Sequence, residues 1–197
     1  MEEESFGPTE KFLIDPGAPT VSAVVAADDL TKLLLRAQAG DRVALSDLVR
    51  ATQPDVWRLC AHLADREQAD DLTQEVYLRA VRALPSFRGE SSARTWLLAI
   101  ARHTAIDSVR AAVRRRRMLT RVQPPEPTTD SSGAADLQEL VAALDIDRRQ
   151  AFVLTQIVGC SYDEAAEICG CPVGTIRSRV ARARADLVEV VRRAEAT

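Results

Sequence analysis

Aromatic residues and long apolar runs are scarce in this 197-residue chain. Aromatic residues make up 4% of the sequence and hydrophobic residues 46%, so the apolar content is mostly Ala, Val and Leu. Such a composition favours interlocking helices over a large β-sandwich. The apolar runs between charged residues are far shorter than the ~20 residues needed to span a bilayer. We therefore expect an all-α protein that does not insert into a membrane.

Residues that carry catalysis are also scarce. His62 and His103 are the only two histidines, and the sequence has neither a glycine-rich phosphate loop nor a paired Ser, His and Asp arrangement. The N-terminus is acidic and lacks the basic-then-apolar order of a signal peptide, which predicts a cytoplasmic protein. We expect no enzymatic activity, no cofactor and no small-molecule substrate.

Four cysteines are too few for a disulfide framework. Cys169 and Cys171 form the tightest pair, but no second Cys/His pair nearby completes a zinc site. We expect Cys60, Cys160 and this pair to be thiols buried or half-buried in helices. A redox or metal-binding role is the alternative.

The charges are unevenly distributed along the chain. The formal net charge is −3, yet residues 94–123 carry eight basic groups and one acidic group between two acidic flanks. A basic segment set in an acidic chain can hold DNA locally while the whole molecule binds free DNA weakly. This pattern favours a subunit that a partner delivers to DNA over a free-standing repressor.

Helical periodicity and chain breakers predict two small helical domains joined by a flexible linker. In the first domain, Gly40-Asp41 ends the first helix, and Pro54 is expected to open a third helix separate from the second. A run rich in proline and small polar residues follows the fifth helix and predicts the linker. The predicted units are a disordered tail at 1–27, a first domain at 28–117, a linker at 118–135 and a second domain at 136–193.

The second domain carries a helix-turn-helix pattern at about 161–182. Ser161 and Glu164 have the spacing of a capping box, Gly170 allows a sharp turn, and Pro172 suits the start of the next helix. In that helix an apolar stripe is predicted to face the core, and an arginine-rich set lies largely off the stripe, as in a recognition helix. An ordinary helical hairpin with a solvated arginine face is the alternative. The predicted stripe is Val173, Ile176, Val180, Ala183, Leu187 and Val190, and the predicted DNA-binding set is Thr175, Arg177, Ser178, Arg179 and Arg182.

A long basic helix preceded by a short polar loop forms a second candidate DNA surface. Ser92 or Ser91 is expected to cap this helix, and Gly89 allows tight turns in the loop. A loop at the end of a basic helix suits the clamping of unpaired nucleotides, whose phosphates meet arginine. A solvated basic face explains the same helix equally well. Trp96 is expected to pack inward, whereas Arg94, Arg102, His103 and Arg110 are candidates for the outer surface.

An acidic helix precedes that loop. Asp71, Gln74, Glu75 and Leu78 share one side of it, whereas Leu72, Val76 and Ala80 take another. A polar, acidic face with one exposed leucine suits docking to a basic partner helix. A solvated helix is the alternative.

Taken together, three segments in this order resemble the small bacterial RNA polymerase sigma factors of the extracytoplasmic-function class, and the later segments resemble those of actinobacteria. The segments are the acidic helix at 70–80, the loop and basic helix at 87–102, and the arginine-rich helix with its turn at 171–184. The resemblance covers the chain from about residue 28 to residue 191. It implies a protein that binds core RNA polymerase, through the β and β′ subunits, and promoter DNA, and it also implies an inhibitory anti-sigma factor.

The resemblance also implies roles for the three candidate surfaces. The acidic face, Asp71, Gln74, Glu75 and Leu78, would bind the β′ clamp helices. The loop and basic helix would open and read the −10 element and capture a flipped base of the non-template strand. The arginine-rich helix would read the −35 element as duplex. The residues expected at the −10 element are Phe87, Ser91, Ser92, Arg94, Trp96, Arg102, His103 and Arg110.

Two other functions compete with this interpretation. A free-standing helix-turn-helix regulator would explain the second domain but would leave the acidic and basic helices of the first domain without a role. An enzyme would need catalytic groups that the sequence does not offer. We therefore expect a sigma factor, with the polymerase carrying out the chemistry.

Overall fold

The protein is described here by a computed structural model that covers residues 27–120 and 137–195. Residues 1–26 of the predicted tail and residues 121–136, most of the predicted linker, lie outside the described residues. Every regular element within the described ranges is helical, which confirms the predicted all-α class. We refer to residues 27–120 as the N-terminal half and to residues 137–195 as the C-terminal half.

The N-terminal half contains four α-helices and two short 3-10 turns. The turns, Arg66–Gln68 and Leu84–Ser86, lie before and after the third helix. Asp41 begins the second helix by accepting hydrogen bonds from the backbone N–H groups of Val43 and Ala44, at 2.9 and 3.0 Å. The helices are α1 (Ala27–Gln38), α2 (Arg42–Leu63), α3 (Ala69–Ala83) and α4 (Ala93–Thr120).

The second helix runs unbroken through Pro54, so the prediction of two separate helices is wrong. Proline lacks the N–H of an α-helical hydrogen bond and crowds the preceding turn. However, Leu48 is buried before Pro54 and Val56 and Leu59 after it, so tertiary packing continues along the helix on both sides of the proline. Packing therefore overrides the local helix-breaking signal at this position.

The C-terminal half contains four α-helices. A π-helical turn at Val153–Ile157 follows the second of them. The helices are α5 (Leu137–Ala143), α6 (Ile146–Phe152), α7 (Tyr162–Cys169) and α8 (Val173–Glu195).

The two halves pack against each other through apolar and polar contacts. One continuous cluster of buried side chains includes Leu63 and Leu98 of the N-terminal half and Val141 and Leu154 of the C-terminal half. At the rim, the Gln138 side chain donates a hydrogen bond to the Ala61 carbonyl at 3.3 Å. The C-terminal half is therefore seated on α2 and α4. Within the described ranges, no helix combines the length and the apolar character needed to cross a membrane.

Candidate nucleic-acid and polymerase interfaces

Local hydrogen bonds build the helix-turn-helix of the C-terminal half. The Ser161 hydroxyl accepts from the backbone N–H of Glu164 at 3.1 Å, and the Glu164 carboxylate accepts from the backbone N–H of Ser161 at 2.7 Å. This reciprocal pair is the predicted capping box. Gly170 ends α7 in the left-handed conformation, with φ +64°, which favours glycine because it has no Cβ. The turn thereby directs the chain into α8.

The predicted apolar stripe of α8 is buried over its central part. Ile176, Val180 and Ala183 are essentially inaccessible to solvent. Leu187 is only half-buried, and Val190 is 38% exposed, so the expectation that Val190 faces the core is wrong. The core of the C-terminal half ends before the last turns of α8, because these turns extend beyond the helices that pack against it.

The opposite face of α8 presents basic and hydroxyl side chains to solvent. Arg177, Ser178 and Arg182 are exposed, and Thr175 is half-buried. Arg179 differs from the rest of the predicted set, because its guanidinium contacts the Asp147 carboxylate of α6 at 2.6 Å. In this structure the exposed part of the candidate duplex-reading surface is thus Arg177, Ser178 and Arg182.

The acidic face of α3 is turned away from the core. Asp71, Gln74 and Leu78 are exposed, and 54% of Leu78 is accessible to solvent. Glu75 is half-buried and pairs with Arg79 at 2.7 Å. Val76 and Ala80 are buried on the other side of the helix, as predicted. The face is thus available to a partner.

The loop before α4 is held at both ends by contacts with α4, and its middle is exposed. At its start, Phe87 is 7% exposed and its ring packs edge-on against Trp96, with 5.3 Å between the ring centroids. At its end, the Ser92 hydroxyl accepts a hydrogen bond from the Thr95 backbone at 3.1 Å and caps α4, as predicted. Ser91 is half-buried, and Gly89 has φ +72°, which favours a residue without Cβ.

Arg94 does not lie on the outer surface, contrary to the expectation. Only 13% of its side chain is exposed, and its guanidinium contacts the buried Asp55 carboxylate at 2.9 Å. The same guanidinium donates to the Val158 carbonyl at 2.8 Å and lies 3.8 Å from the Glu164 carboxylate. Arg94 is therefore held between the halves, because acceptors from both of them converge on it.

The other predicted surface residues of α4 divide into two groups. Arg102 is half-buried and donates a hydrogen bond to the side chain of Gln150, a buried residue of the C-terminal half. The expectation that Arg102 lies on the outer surface is thus wrong for this arrangement. His103 and Arg110 are exposed, as predicted.

Asp55 and Gln150, which bind Arg94 and Arg102, could not be recognised as partners from the sequence. Asp55 is 1% exposed and Gln150 is 4% exposed. One local signal was available, since Asp55 immediately precedes the apolar positions of α2. A charged residue at such a position needs a partner. The partner, Arg94, lies 39 residues away and could not be identified from periodicity.

The two deeply buried cysteines are neutral thiols at physiological pH. Burial raises the pKa of Cys60 to about 12 and that of Cys160 to about 12. A thiol with so high a pKa is a poor nucleophile and a poor metal ligand. Across the described residues, no group of three or more His, Cys, Asp or Glu side chains could hold a metal ion. The structural role expected for Cys60 and Cys160 is therefore favoured.

Comparison with known families and sequences matches both halves of the chain. The family model of sigma-70 region 2 matches residues 48–115, and that of sigma-70 region 4 matches residues 134–187. The probable RNA polymerase sigma-C factor of Mycobacterium bovis is 53% identical over 81% of this chain and 90% of that protein. The extracytoplasmic-function sigma-E factor of Escherichia coli is 36% identical over 77% of this chain and 88% of that protein.

Solved structures with a similar fold were determined as complexes. CnrH in complex with the cytosolic domain of CnrY has a TM-score of 0.66 and 28% identity, covering 84% of this chain and 97% of that chain. RpoE of Bartonella quintana in complex with the anti-sigma factor NepR has a TM-score of 0.63 and 29% identity, covering 75% and 96%. With two sigma-70 regions in the order of its two halves and relatives matched over most of their length, the chain belongs to the extracytoplasmic-function class of RNA polymerase sigma factors.

Proposed function

We propose that three surfaces of this sigma factor have separate roles in promoter-directed initiation. The exposed face of α3 docks on core polymerase, the loop 87–92 with α4 opens and reads the −10 element, and the exposed face of α8 reads the −35 element. The observation that carries the proposal is α8, where the basic face is exposed and the opposite face is buried. We propose a first domain at about 28–117 and a second at about 136–193, and the family matches at 48–115 and 134–187 support this division.

The chemistry of α8 suits the reading of duplex DNA. Arginine can donate two hydrogen bonds to the edge of guanine in the major groove, and serine can contact a base or a phosphate. Arg177, Ser178 and Arg182 are exposed in the N-terminal half of α8, and a recognition helix enters the groove with its N-terminal residues. Arg179 would join them once it releases Asp147, and we include the half-buried Thr175 in the same surface.

The α3 face suits a basic partner helix. Asp71 and Glu75 supply negative charge, Gln74 supplies hydrogen bonds, and Leu78 supplies an exposed apolar contact. A small apolar centre with a polar rim is the usual anatomy of a protein interface. We assign this face to the clamp helices of the β′ subunit, and the C-terminal half to the β subunit and the duplex.

The −10 surface is only partly accessible in the arrangement seen here. His103 and Arg110 are exposed, whereas Arg94 and Arg102 are engaged by the C-terminal half. We propose that promoter binding separates the halves and frees both arginines. Phe87 and Trp96 then pack beneath the loop and support it, and Ser91 and Ser92 contact the unpaired strand.

An anti-sigma factor is the proposed inhibitor. The solved relatives CnrH and RpoE were each determined with a partner, which is named as an anti-sigma factor for RpoE. We call the arrangement in which the two halves pack against each other the closed arrangement. A partner that stabilised it would keep Arg94 and Arg102 away from DNA. We place the protein in the cytoplasm with the polymerase, which performs the catalysis, so the sigma factor itself is not an enzyme and needs no cofactor.

Run-off transcription with core RNA polymerase on genomic promoter fragments tests the proposal. Glu75→Lys should abolish polymerase docking while the fold stays intact, because it reverses a charge on the α3 face. Asp47→Lys, a charge reversal on the surface of α2 outside the proposed surfaces, should transcribe normally. Normal transcription by the Glu75→Lys variant would refute the assignment of α3.

A second pair of variants tests α8 on the same templates. Arg177→Ala and Arg182→Ala should each weaken −35 binding by ~1–3 kcal/mol per lost base contact. Arg192→Ala removes an exposed arginine about 15 Å farther along the helix and should have no such effect. A footprint made by the protein alone, without polymerase, would indicate a free-standing helix-turn-helix regulator instead.

A further inference from the structure

Helix α1 packs directly against the loop 87–92, although none of the proposed surfaces includes this helix. Leu30, Leu34 and Ala37 of α1 form one buried cluster with Phe87 and Ala93, the residues at the two ends of the loop. Two polar side chains of α1 also bond to the backbone at those ends. The functional meaning of these contacts rests on the proposed role of the loop.

Gln38 holds the segment that leads into the loop. Its side-chain nitrogen Nε2 lies 3.1 Å from the carbonyl oxygen of Leu84, 3.3 Å from that of Pro85 and 3.0 Å from that of Phe87. A side-chain amide has two N–H donors, so three backbone carbonyls share them. Three carbonyls converge on one nitrogen only if the 84–87 backbone is folded tightly around it, and Gln38 therefore fixes the path of the chain into the loop.

Thr31 holds the other end of the loop. Its hydroxyl oxygen accepts a hydrogen bond from the backbone N–H of Ala93, the first residue of α4, at 3.1 Å. The first N–H groups of a helix have no partner within the helix, so this contact satisfies one of them. Thr31 and Gln38 are seven residues apart, which is two helical turns, and thus lie on the same face of α1.

Between these two attachments the loop is open to solvent. Arg88, Gly89 and Glu90 are exposed, and Arg88 and Glu90 approach each other only to 3.9 Å. The shape of the exposed middle is therefore set by its fixed ends. A loop with fixed ends loses less conformational entropy when it binds a ligand, which raises affinity without adding a contact.

We propose that Gln38 and Thr31 are positioning residues for promoter reading. They hold loop 87–92 in the conformation that receives an unpaired base of the −10 element, and neither of them contacts the DNA. Loss of either attachment should reduce discrimination at the captured base, because the loop then samples conformations in which its side chains miss the base edge. Binding to core polymerase and to the −35 duplex should be unaffected.

Holoenzyme assembled from core polymerase and the full chain tests this proposal on a promoter identified by run-off transcription. The DNA probes carry an unpaired non-template strand across the −10 element, with the preferred base or each alternative base at one position. Gln38→Met keeps the side-chain length and removes both donors, and Thr31→Val keeps the shape and removes the acceptor. Each should lower the ratio of affinities between preferred and alternative bases about five- to tenfold, the loss of roughly one hydrogen bond.

Three controls separate positioning from general stability. Thr31→Ser keeps the hydroxyl and should restore discrimination. Lys32→Met alters a neighbouring exposed residue of α1 and should change nothing. Core affinity should stay near that of the wild type, and Tm should fall by no more than about 2–4 °C, the effect of losing roughly one hydrogen bond. A fall in Tm or in core affinity with unchanged discrimination, or equal discrimination by Thr31→Val and Thr31→Ser, would overturn the proposal.

The test also distinguishes failure of this proposal from failure of the proposed function. Arg88→Ala and Ser91→Ala alter the loop itself. If they lose discrimination while Gln38→Met and Thr31→Val keep it, the loop reads the base and α1 does not position it. If the loop variants also discriminate normally, the loop is not the reader, and both proposals are wrong.

Discussion

Asp55 and Arg94 form an ion pair that is almost completely removed from water. The carboxylate side chain is 2% exposed, the guanidinium side chain is 13% exposed, and they approach to 2.9 Å. Arg58 offers Asp55 a second, longer contact at 3.4 Å. Placing two charges in a low-dielectric interior costs free energy that only good geometry and further hydrogen bonds offset. Here the additional bond is the one from Arg94 to the Val158 carbonyl.

Removing one member of this pair should therefore lower the free energy of unfolding more than removing both members does. Arg94→Met leaves the buried Asp55 carboxylate with only its longer contact to Arg58, and should reduce the free energy of unfolding by ~3 kcal/mol. Adding Asp55→Asn to Arg94→Met should recover part of the loss, because the remaining polar group is uncharged. Urea denaturation at pH 7 measures both effects.

A matched exposed pair provides the control for this prediction. Arg50 and Asp47 approach to 2.8 Å on the surface of α2, with 78% of the arginine side chain exposed. Arg50→Met should leave the unfolding midpoint unchanged, because exposed ion pairs contribute little. Equal effects of Arg94→Met and Arg50→Met would show that burial does not govern the Asp55–Arg94 contact.

At the scale of single elements, sequence signals succeeded where they were local. Ser161, Glu164 and Gly170 act within a few residues of one another, so the cap and turn before α8 could be predicted from their spacing. The acidic and apolar sides of α3 followed from helical periodicity for the same reason. The candidate surface of α8 was predicted except for Arg179, whose partner Asp147 lies 32 residues away.

The continuity of α2 shows where local signals failed. Pro54 indicated a break, but the packing of Leu48 and Leu59 on either side keeps the helix whole. Propensity is a weak determinant when buried contacts extend past the breaker. The burial of Arg94 could not be predicted from local sequence either, because its partners come from α2 and from the C-terminal half.

Replacement of Pro54 should stabilise the protein. Pro54 is exposed on α2, so alanine adds no buried atoms there, and it restores an N–H within the helix. We expect Pro54→Ala to raise the free energy of unfolding by ~1–2 kcal/mol, which is the helix-interior penalty of proline less the entropy that proline removes from the unfolded chain. Chemical denaturation followed by circular dichroism measures the change. A loss of stability would mean that the local geometry at Pro54 is needed for packing against α1 and α4.

At the scale of the whole molecule, the closed arrangement conflicts with simultaneous reading of two promoter elements. Positions −35 and −10 are ~25 base pairs apart, which is roughly 85 Å of duplex at 3.4 Å per step. In contrast, Arg94 of the N-terminal half contacts Val158 of the C-terminal half directly, and the longest helix of that half, α8, spans only about 35 Å. On the proposed assignment of α4 to the −10 element and α8 to the −35 element, these two helices must therefore move apart when the protein binds a promoter.

A cleavable cross-link between the halves should block initiation reversibly. Gln138 contacts the carbonyl of Ala61 near the end of α2, and Ala64 is half-buried close by, so A64C/Q138C places two thiols across the contact. Cys169→Ser and Cys171→Ser remove the two half-buried native thiols that would compete for the reagent. A short, reductant-cleavable bismaleimide should link the halves in the free chain and lower run-off transcription more than tenfold.

Cleavage of the linker by a reductant should restore transcription, because the modified side chains remain and only the tether is lost. The single variant A64C, treated in the same way, should transcribe normally throughout. Since the α3 face stays exposed in the closed arrangement, the cross-linked chain should still bind core polymerase. The defect should therefore appear at promoter binding, as lost protection of the −10 region. Normal transcription by a fully cross-linked chain would mean that the closed arrangement itself can open DNA.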